Sequence, residues 1–278
     1  MAHFLDCAGK RLDLTSPQVM GVLNITPDSF SDGGRFLAAD AALTHARRMV
    51  EEGAAIVDVG GESTRPGAAP VDEQEELRRV IPVIERIAAE VPAVISIDTR
   101  KPAVMRAAVA AGAGMINDIC ALREEGAVAT AAQLGVPVCL MHMQGEPRTM
   151  QAAPRYHDVV AEVMNFLAER VAACGQAGIA RERLLIDPGF GFGKGLEHNL
   201  RLLRHLDAFA VMGLPLVVGL SRKSLIGSIL NVTAAQRLYG SIALATVAVW
   251  QGAAIVRAHD VAATVQAIKT TAAVRAVR

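Results

Sequence analysis

Short apolar runs recur along the chain and alternate with segments of helical spacing. Several runs are continuously apolar rather than alternating, which is typical of parallel strands covered on both faces. Eight runs have this strand character: residues 18–23, 54–59, 93–97, 113–116, 136–141, 184–186, 214–220 and 253–256.

The intervening segments have the period of amphipathic helices. In residues 73–90, and again in residues 157–174, the apolar side chains fall on one helical face. Pro82 is expected to kink the first of these helices or to mark a break in it. Eight strands alternating with helices predict an α/β fold of the TIM (β/α)8 barrel type, with an open doubly wound sheet as the alternative.

The ends of the chain and its composition fit one barrel. The 278 residues can bury one large core, and no low-complexity segment or long linker divides them, so residues 1–278 are expected to form a single domain. The first fifteen residues are expected to form a hairpin that closes the bottom of the barrel.

Charge and cysteine content limit the classes of partner and compartment. Lys+Arg and Asp+Glu both number 28, which argues against a nucleic-acid partner. Residues 1–14 lack the apolar stretch of a signal peptide. The four cysteines, Cys7, Cys120, Cys139 and Cys174, have no metal-type spacing and are expected to be free thiols in a reducing cytoplasm.

One apolar segment is too short to be a membrane span. Residues 241–250 are almost wholly apolar, but a helix needs about 20 such residues to cross a bilayer. We expect a helix over about 234–252 that is buried on more than one side, in the core or in a subunit interface. No membrane partner is expected.

Polar residues follow almost every apolar run. In a barrel these carboxyl ends of the strands meet at one mouth, where active sites of this fold lie. Polar loops alone explain less well why carboxylates and amides directly follow buried strands and therefore need partners. The residues concerned are Asn24, Asp58, Asp98, Asn117, Asp118, His142, Asp187, Ser221, Arg222, Lys223, Arg257 and His259.

Three loops that follow runs one, two and six are rich in glycine. They read ITPDSFSDGG, GGESTRPGA and DPGFGFGKG. Backbone N–H groups of such loops can approach an anion closely. None of the three matches a Rossmann or P-loop pattern, so no nucleotide cofactor is expected.

Eight motifs together resemble those of bacterial dihydropteroate synthases. They are MGVLNITPDSFSDGG, DVGGESTRPGA, SIDT, INDI, LMHMQG, DPGFGFGK, GLSRKS and IVRAHDV, and they extend from about residue 18 to the last helix. The resemblance implies a cytoplasmic, homodimeric barrel of folate biosynthesis that uses Mg²⁺. It would condense 6-hydroxymethyl-7,8-dihydropterin pyrophosphate with p-aminobenzoate to give 7,8-dihydropteroate and pyrophosphate, and it would be a sulfonamide target.

The resemblance also implies a pterin pocket. Asp98, Asn117, Asp187 and Lys223 would pair with the donors and acceptors along the edges of the pterin, and Met141 would pack on its ring. Carboxylates and amides suit that task, because the heterocycle carries N–H donors on one edge and acceptors on another.

The leaving group and the second substrate are assigned in the same way. Pyrophosphate would be bound by Asn24, Thr64, Arg257 and His259, with Asn24 contacting Mg²⁺. Catalysis of a loose, carbocation-like displacement would rest on Arg257, His259 and Lys223. The p-aminobenzoate would lie nearer the surface, among Thr64, Arg65, Pro66, Phe192, Ser221 and Lys223.

Two other functions are weighed against the synthase. A pterin-binding paralogue without synthase activity would be expected to lose anion-site residues, but Asn24, Arg257 and His259 are present. A methyltetrahydrofolate-binding methyltransferase domain would be expected to lack the ESTRPG and SRKS motifs found in this sequence.

Overall fold

The computed structural model describes residues 4–25, 35–63, 69–146 and 149–277, with the side chains of 35–38 excepted. These described residues form ten strands: β1 Phe4–Cys7, β2 Lys10–Asp13, β3 Gln18–Asn24, β4 Ile56–Gly60, β5 Val94–Asp98, β6 Met115–Asp118, β7 Val138–Met141, β8 Leu184–Asp187, β9 Val217–Gly219 and β10 Ile255–Ala258. The last eight fall within or beside the eight apolar runs, so the predicted strands are confirmed.

Within the part of the chain that the structure describes, nine α-helices follow the barrel strands: α1 Arg35–Glu51, α2 Glu73–Glu90, α3 Pro102–Ala110, α4 Ala127–Leu134, α5 Val159–Gln176, α6 Leu196–Arg204, α7 Ser224–Leu230, α8 Leu238–Trp250 and α9 Val261–Ala276. Helix α2 continues through Pro82, so the alternative of a break there is wrong. Pro82 lies on the exposed side of α2, where water can reach the carbonyl that lacks its usual donor.

The eight strands β3–β10 form a parallel ring. Each pairs with its neighbour in chain order, and β10 pairs with β3. A parallel bridge between Ile186 and Leu216 joins β8 to β9. The TIM-barrel prediction is therefore confirmed, and the open doubly wound sheet is wrong.

A hairpin covers the bottom of this barrel, as predicted. Strands β1 and β2 are antiparallel, and Leu5, Cys7 and Leu12 pack on the first inward side chain of each barrel strand. Those inward side chains are Met20, Ile56, Val94, Met115, Cys139, Leu185, Val217 and Ile255. The hairpin lies so close to β6 that a β-carbon on Gly114 would be 2.4 Å from the carbonyl oxygen of Cys7.

Helix α8 is buried on one face and apolar on the other. Ser241, Ala245 and Ala248 pack inward, whereas Tyr239 is 81% and Trp250 is 55% exposed. Within one chain the helix is therefore buried on one side only, which leaves a subunit interface as the predicted setting for its other side. None of the helices described above is both long and apolar enough to cross a membrane.

Replacement of Gly114 by alanine tests the hairpin contact. Gly114→Ala is expected to lower the free energy of unfolding by about 1–3 kcal/mol, because the added methyl group would overlap the Cys7 carbonyl. Gly175→Ala in α5 is the control, since its β-carbon would meet no atom within 4 Å, and a change of about 0.5–1 kcal/mol in the stabilising direction is expected. Equal urea midpoints for the two variants would contradict the contact.

Candidate active site

The period of the strands places the polar residues of the mouth. Side chains two residues apart on a strand point the same way, so the residue two positions after each bottom-layer side chain also points into the barrel. Applied to β4, β6, β8 and β10, this rule places four polar side chains above the bottom layer. They are Asp58 above Ile56, Asn117 above Met115, Asp187 above Leu185 and Arg257 above Ile255. The barrel is thus apolar below and polar above.

A buried ion-pair cluster lies at the centre of the polar layer. Nε of Arg257 donates to Oδ2 of Asp58 at 2.6 Å, and Nη2 donates to Oδ2 of Asp98 at 2.8 Å. Nδ2 of Asn117 donates to the same Asp58 oxygen at 3.2 Å. The structure therefore brings together the predicted residues Asp98, Asn117 and Arg257, which come from β5, β6 and β10.

Electrostatics in this cluster are set by competition between burial and pairing. Burial raises the pKa of Asp98 to about 7, and Arg257 opposes that rise. Burial also disfavours the charge of Arg257, but Asp58 and Asp98 outweigh it and raise the pKa of the guanidinium. The arginine is thus a fixed cation that pairs with both carboxylates.

Asp58 is the member of the cluster for which no binding role was predicted. It is fully buried on β4, and its Oδ1 atom finds no hydrogen-bond partner within the described part of the chain. A buried carboxylate oxygen needs a donor, so Asp58 belongs with the candidate ligand-binding groups. The strand period could have found it, because Asp58 follows Ile56 in the same phase in which Asp187 follows Leu185.

Asp187 and Lys223 form the opposite side of the mouth. Oδ1 of Asp187 accepts from the backbone N–H of Gly189 at 2.7 Å. Burial lowers the pKa of Lys223 to about 8, with the nearby Asp187 charge opposing that change. Nζ of Lys223 donates to the carbonyl oxygen of Phe190 and lies 4.7 Å from the centre of the Phe192 ring.

An apolar wall completes the mouth. Met141, Met143, Met150, Ile119 and Cys120 form one buried cluster, against which Phe192 packs. A cavity of about 470 Å³ opens beside this wall, and Asp98, Thr99 and Met143 are among the residues that line it. Asp98 thus borders the same cavity as Ile119, Cys120 and Met143 of the wall, and Phe192 meets the polar groups at Lys223.

The third side of the mouth carries Ser221 and His259. Oγ of Ser221 lies 3.1 Å from Nδ1 of His259 and accepts from the backbone N–H of His259 at 3.2 Å. Arg222, which has a φ of +57°, donates to both carboxylate oxygens of Asp260. These contacts join the loop after β9 to the end of β10 and couple Ser221 to the residue predicted to bind pyrophosphate.

Asn24 lies at the end of β3, close to Asp98 of the ion-pair cluster. A β-carbon on Gly60 would lie 3.6 Å from Oδ1 of Asn24 and 3.7 Å from Oδ2 of Asp98, so these two oxygens flank the same small residue. Among the described residues, no three His, Cys, Asp or Glu side chains are grouped as a metal site. Asn24 alone could supply one hard oxygen ligand, which is enough only for an ion held mainly by a substrate and by water.

Some predicted residues lie outside the described residues. Thr64, Arg65 and Pro66, which were assigned to pyrophosphate and p-aminobenzoate, belong to this group, as does most of the first glycine-rich loop. Every other predicted site residue lies at the carboxyl ends of the barrel strands or in the loops that follow them.

Asp118, beside Asn117, has a structural role. Its oxygens accept from the backbone N–H groups of Cys120 at 2.7 Å and Leu122 at 2.8 Å. These bonds hold a tight turn in which Ala121 and Leu122 both have positive φ. Both oxygens of the Asp118 carboxylate therefore bind backbone N–H groups of the loop that follows β6.

The role of Asp118 predicts how a change there affects stability. Asp118→Asn is expected to lower the free energy of unfolding by about 1–3 kcal/mol, because an amide offers one acceptor oxygen where two N–H donors are buried. Asp6→Asn is the control, since Asp6 accepts one N–H bond at an exposed turn, and a change within about 0.5 kcal/mol is expected. Similar losses in chemical denaturation of both variants would argue against this role.

Comparison with known proteins identifies the family. Residues 20–259 match the model of the pterin binding enzyme family. Dihydropteroate synthase of Escherichia coli (strain K12) is 57% identical over 265 residues, which are 95% of this chain and 94% of that protein.

Two solved structures cover nearly all of the chain. Dihydropteroate synthase of Xanthomonas albilineans with 4-aminobenzoic acid is 54% identical, with a TM-score of 0.94 and full coverage of both chains. The Yersinia pestis enzyme in a sulfonamide drug complex is 52% identical, with a TM-score of 0.94, and the match covers 99% of this chain and 100% of that one. With a polar mouth of the predicted composition and relatives this similar over the whole barrel, the chain belongs to the dihydropteroate synthases, the transferases of folate biosynthesis within the pterin-binding enzymes.

Proposed function

We propose that the chain condenses 6-hydroxymethyl-7,8-dihydropterin pyrophosphate with p-aminobenzoate at the described mouth, giving 7,8-dihydropteroate and pyrophosphate. The observation that carries the proposal is the convergence of Asp98, Asn117, Asp187, Lys223 and Arg257 from five strand ends in a chain of this family. The alternatives of an inactive paralogue and a methyltransferase domain are not favoured, because the relatives that match the whole barrel are synthases.

The pterin is proposed to lie between the two acidic sides of the mouth. Asp58, Asp98 and Asp187 offer acceptors for its amino and ring N–H donors, and Asn117 and Lys223 offer donors for its acceptors. Met141 packs on the ring from the apolar wall. A ligand that lacked one of these groups would leave a buried partner unpaired, at about 1–3 kcal/mol for each group.

The reaction is proposed to be a loose displacement at the methylene carbon. The C–O bond to pyrophosphate breaks while the amine nitrogen forms the C–N bond, and the nitrogen then loses one proton to water. The aromatic amine is neutral at pH 7, so no strong general base is required. The protein holds the amine in line and stabilises the departing anion.

Arg257 and His259 are proposed to receive the leaving group. Arg257 keeps its charge at any working pH, and its pairing with Asp58 and Asp98 fixes where that charge lies. His259 is held by Ser221, and this contact supports the proposal that both residues lie beside the anion. Asn24 and Thr64 complete this group in the proposal.

Magnesium is proposed to act beside the pyrophosphate leaving group. Asn24 offers an oxygen ligand of the kind that Mg²⁺ prefers, and a single protein ligand suits an ion that also binds substrate phosphates and water. When bound, the ion would neutralise charge on the leaving pyrophosphate.

The p-aminobenzoate is proposed to lie above the pterin. Phe192 packs on one face of its ring, and Lys223 and Ser221 lie near its carboxylate. Thr64, Arg65 and Pro66 of the second glycine-rich loop form the remaining wall in this proposal. Phe192 already packs beside Lys223, which supports a shared ring-and-charge site.

The compartment, the partners and the oligomeric state of the enzyme are proposed from its cysteines, its charge and its exposed apolar surface. All four cysteines are free and buried, which supports a reducing cytoplasm. With equal numbers of acidic and basic residues, neither nucleic acid nor a membrane is proposed as a partner. The exposed apolar face of α8 supports a homodimer, because a large apolar patch needs a covering surface.

Formation of dihydropteroate tests the proposed function directly. The protein is expected to make dihydropteroate from the two substrates with Mg²⁺ and to lose most of that activity when the ion is chelated. Asp187→Ala is expected to weaken pterin binding in calorimetry by more than tenfold, about 1.4 kcal/mol. Glu197→Ala on the exposed surface is the control. No product from the unchanged protein with Mg²⁺ present would refute the proposal.

Sulfonamides test the p-aminobenzoate site. They are expected to inhibit competitively with p-aminobenzoate, since their aryl amine and acidic sulfonyl group resemble the amine and carboxylate of that substrate. Changes at Thr64, Pro66 or Phe192 should weaken drug binding more than substrate binding, because they also touch the part of the drug that the substrate lacks. Inhibition that excess p-aminobenzoate does not relieve would contradict the assignment.

The oligomeric state tests the role of the α8 face. Light scattering at micromolar concentration is expected to give the mass of a dimer. Replacement of both exposed aromatic residues, Tyr239→Glu with Trp250→Glu, is expected to give monomers, because it places charge on the apolar face. A monomeric unchanged protein would contradict the proposal, and Arg201→Glu, on the exposed side of α6, is the control.

A further inference from the structure

Lys194 is a buried lysine in the loop that joins β8 to α6. It is 2% exposed. Its Nζ atom donates to the carbonyl oxygens of Gly189 at 2.9 Å and Phe192 at 3.0 Å, and it lies 2.8 Å from Nδ1 of His142. One amine therefore ties two points of this loop to the residue that follows β7.

His142 is suited to accept from this lysine. Burial, and then the charge of Lys194, lower the pKa of His142 to about 3, so the ring is neutral at ordinary pH. A neutral ring can accept a hydrogen bond at Nδ1. Phe166 packs edge-on at 4.9 Å between ring centres, which fixes the plane of the imidazole.

The loop lies directly on the backbone of residues 142–144. A β-carbon on Gly189 would be 1.9 Å from the carbonyl oxygen of His142, and one on Gly193 would be 2.4 Å from that of Gln144. Both glycines have positive φ. At these two points the loop packs on the strand end backbone against backbone, and the hydrogen bonds of Lys194 act in addition to this packing.

Further contacts hold the outer side of the loop, and one of them runs from Nε2 of Gln151 to the carbonyl oxygen of Gly191. The hydroxyl of Tyr156 donates to the carbonyl oxygen of Gly193 at 2.8 Å, and Oδ1 of Asn199 accepts from the N–H of Gly191 at 2.7 Å. On the inner side of the loop, Lys194 binds the carbonyl oxygens of Gly189 and Phe192. Its side chain adds a hydrogen-bonding contact with His142 to the backbone packing between the loop and the end of β7.

The same loop carries three contacts of the candidate site. The N–H of Gly189 is bound by Asp187, the carbonyl oxygen of Phe190 accepts from Lys223, and the Phe192 ring packs beside Lys223. Gly189 and Phe192, whose carbonyl oxygens Lys194 holds, therefore lie on either side of the Phe190 contact. A shift of Gly189 or Phe192 would therefore move the Phe192 ring and the carbonyl oxygen to which Lys223 donates.

We propose that Lys194, held by His142, is a positioning residue that sets Phe192 and Lys223 for binding of p-aminobenzoate. This inference rests on the proposed function for the identity of that substrate. Lys194 touches no substrate. It acts through the loop, so its loss should weaken binding of the ring substrate more than it slows the chemical step.

The test compares two lysines that bind backbone carbonyls at opposite ends of the barrel. Lys194→Met is expected to raise the KM for p-aminobenzoate at least tenfold while kcat changes less than threefold. Amide hydrogen exchange of residues 189–193 is expected to become faster in the same variant. Lys10→Met is the control, because Lys10 donates to the carbonyl oxygen of Ala93 at the bottom of the barrel; it should change neither quantity.

Two variants of His142 separate positioning from simple packing. His142→Asn places an amide oxygen near the position of Nδ1 and is expected to keep the KM within threefold of the unchanged protein. His142→Leu fills the space without an acceptor and is expected to behave like Lys194→Met. This pair decides the question if Lys194→Met does not fold.

Three results would overturn the inference. They are an unchanged KM in Lys194→Met, equal KM values for the two His142 variants, and a loss of kcat without a change in KM. Activity of the unchanged protein is measured first, so that absence of product counts against the proposed function. Hydrogen exchange then tests the anchoring of the loop separately, and unchanged exchange in Lys194→Met would contradict it.

Discussion

The pairing of Arg257 with Asp58 and Asp98 is the interaction on which the candidate site depends. Three charged groups lie inside a barrel whose lower layer is apolar, and each would be costly to bury alone. Loss of one partner from such a buried group costs about 3–5 kcal/mol. The arrangement therefore fixes both carboxylates and holds the Arg257 guanidinium in place at the mouth.

The barrel makes this cluster possible because strand period and register act together. Asp58, Asp98 and Asn117 come from the neighbouring strands β4, β5 and β6, and Arg257 reaches them from β10 across the mouth. Glycines then keep space where side chains would intrude. At Gly189, for example, a β-carbon would be 1.9 Å from the carbonyl oxygen of His142.

The sequence predicted the barrel, the hairpin and most of the polar mouth, because strands covered on both faces are continuously apolar and end in polar residues. It gave Asp58 no role, since Asp58 lies within a strand and its partner Arg257 is 199 residues away. It allowed a break at Pro82, although that residue lies on the exposed side of α2. The contact between Ser221 and His259 also depends on two distant loops, which local patterns do not relate.

Arg257 is proposed to order Asp58 and Asp98, the carboxylates that would bind the pterin, and also to receive the leaving group. The most direct test is a calorimetric titration of the Arg257→Leu variant with a hydroxymethylpterin that lacks the pyrophosphate, after circular dichroism has shown that the variant is folded. The account predicts that affinity falls more than tenfold, about 1.4 kcal/mol, because Asp58 and Asp98 lose the cation that fixes them. An affinity equal to that of the unchanged protein would contradict it.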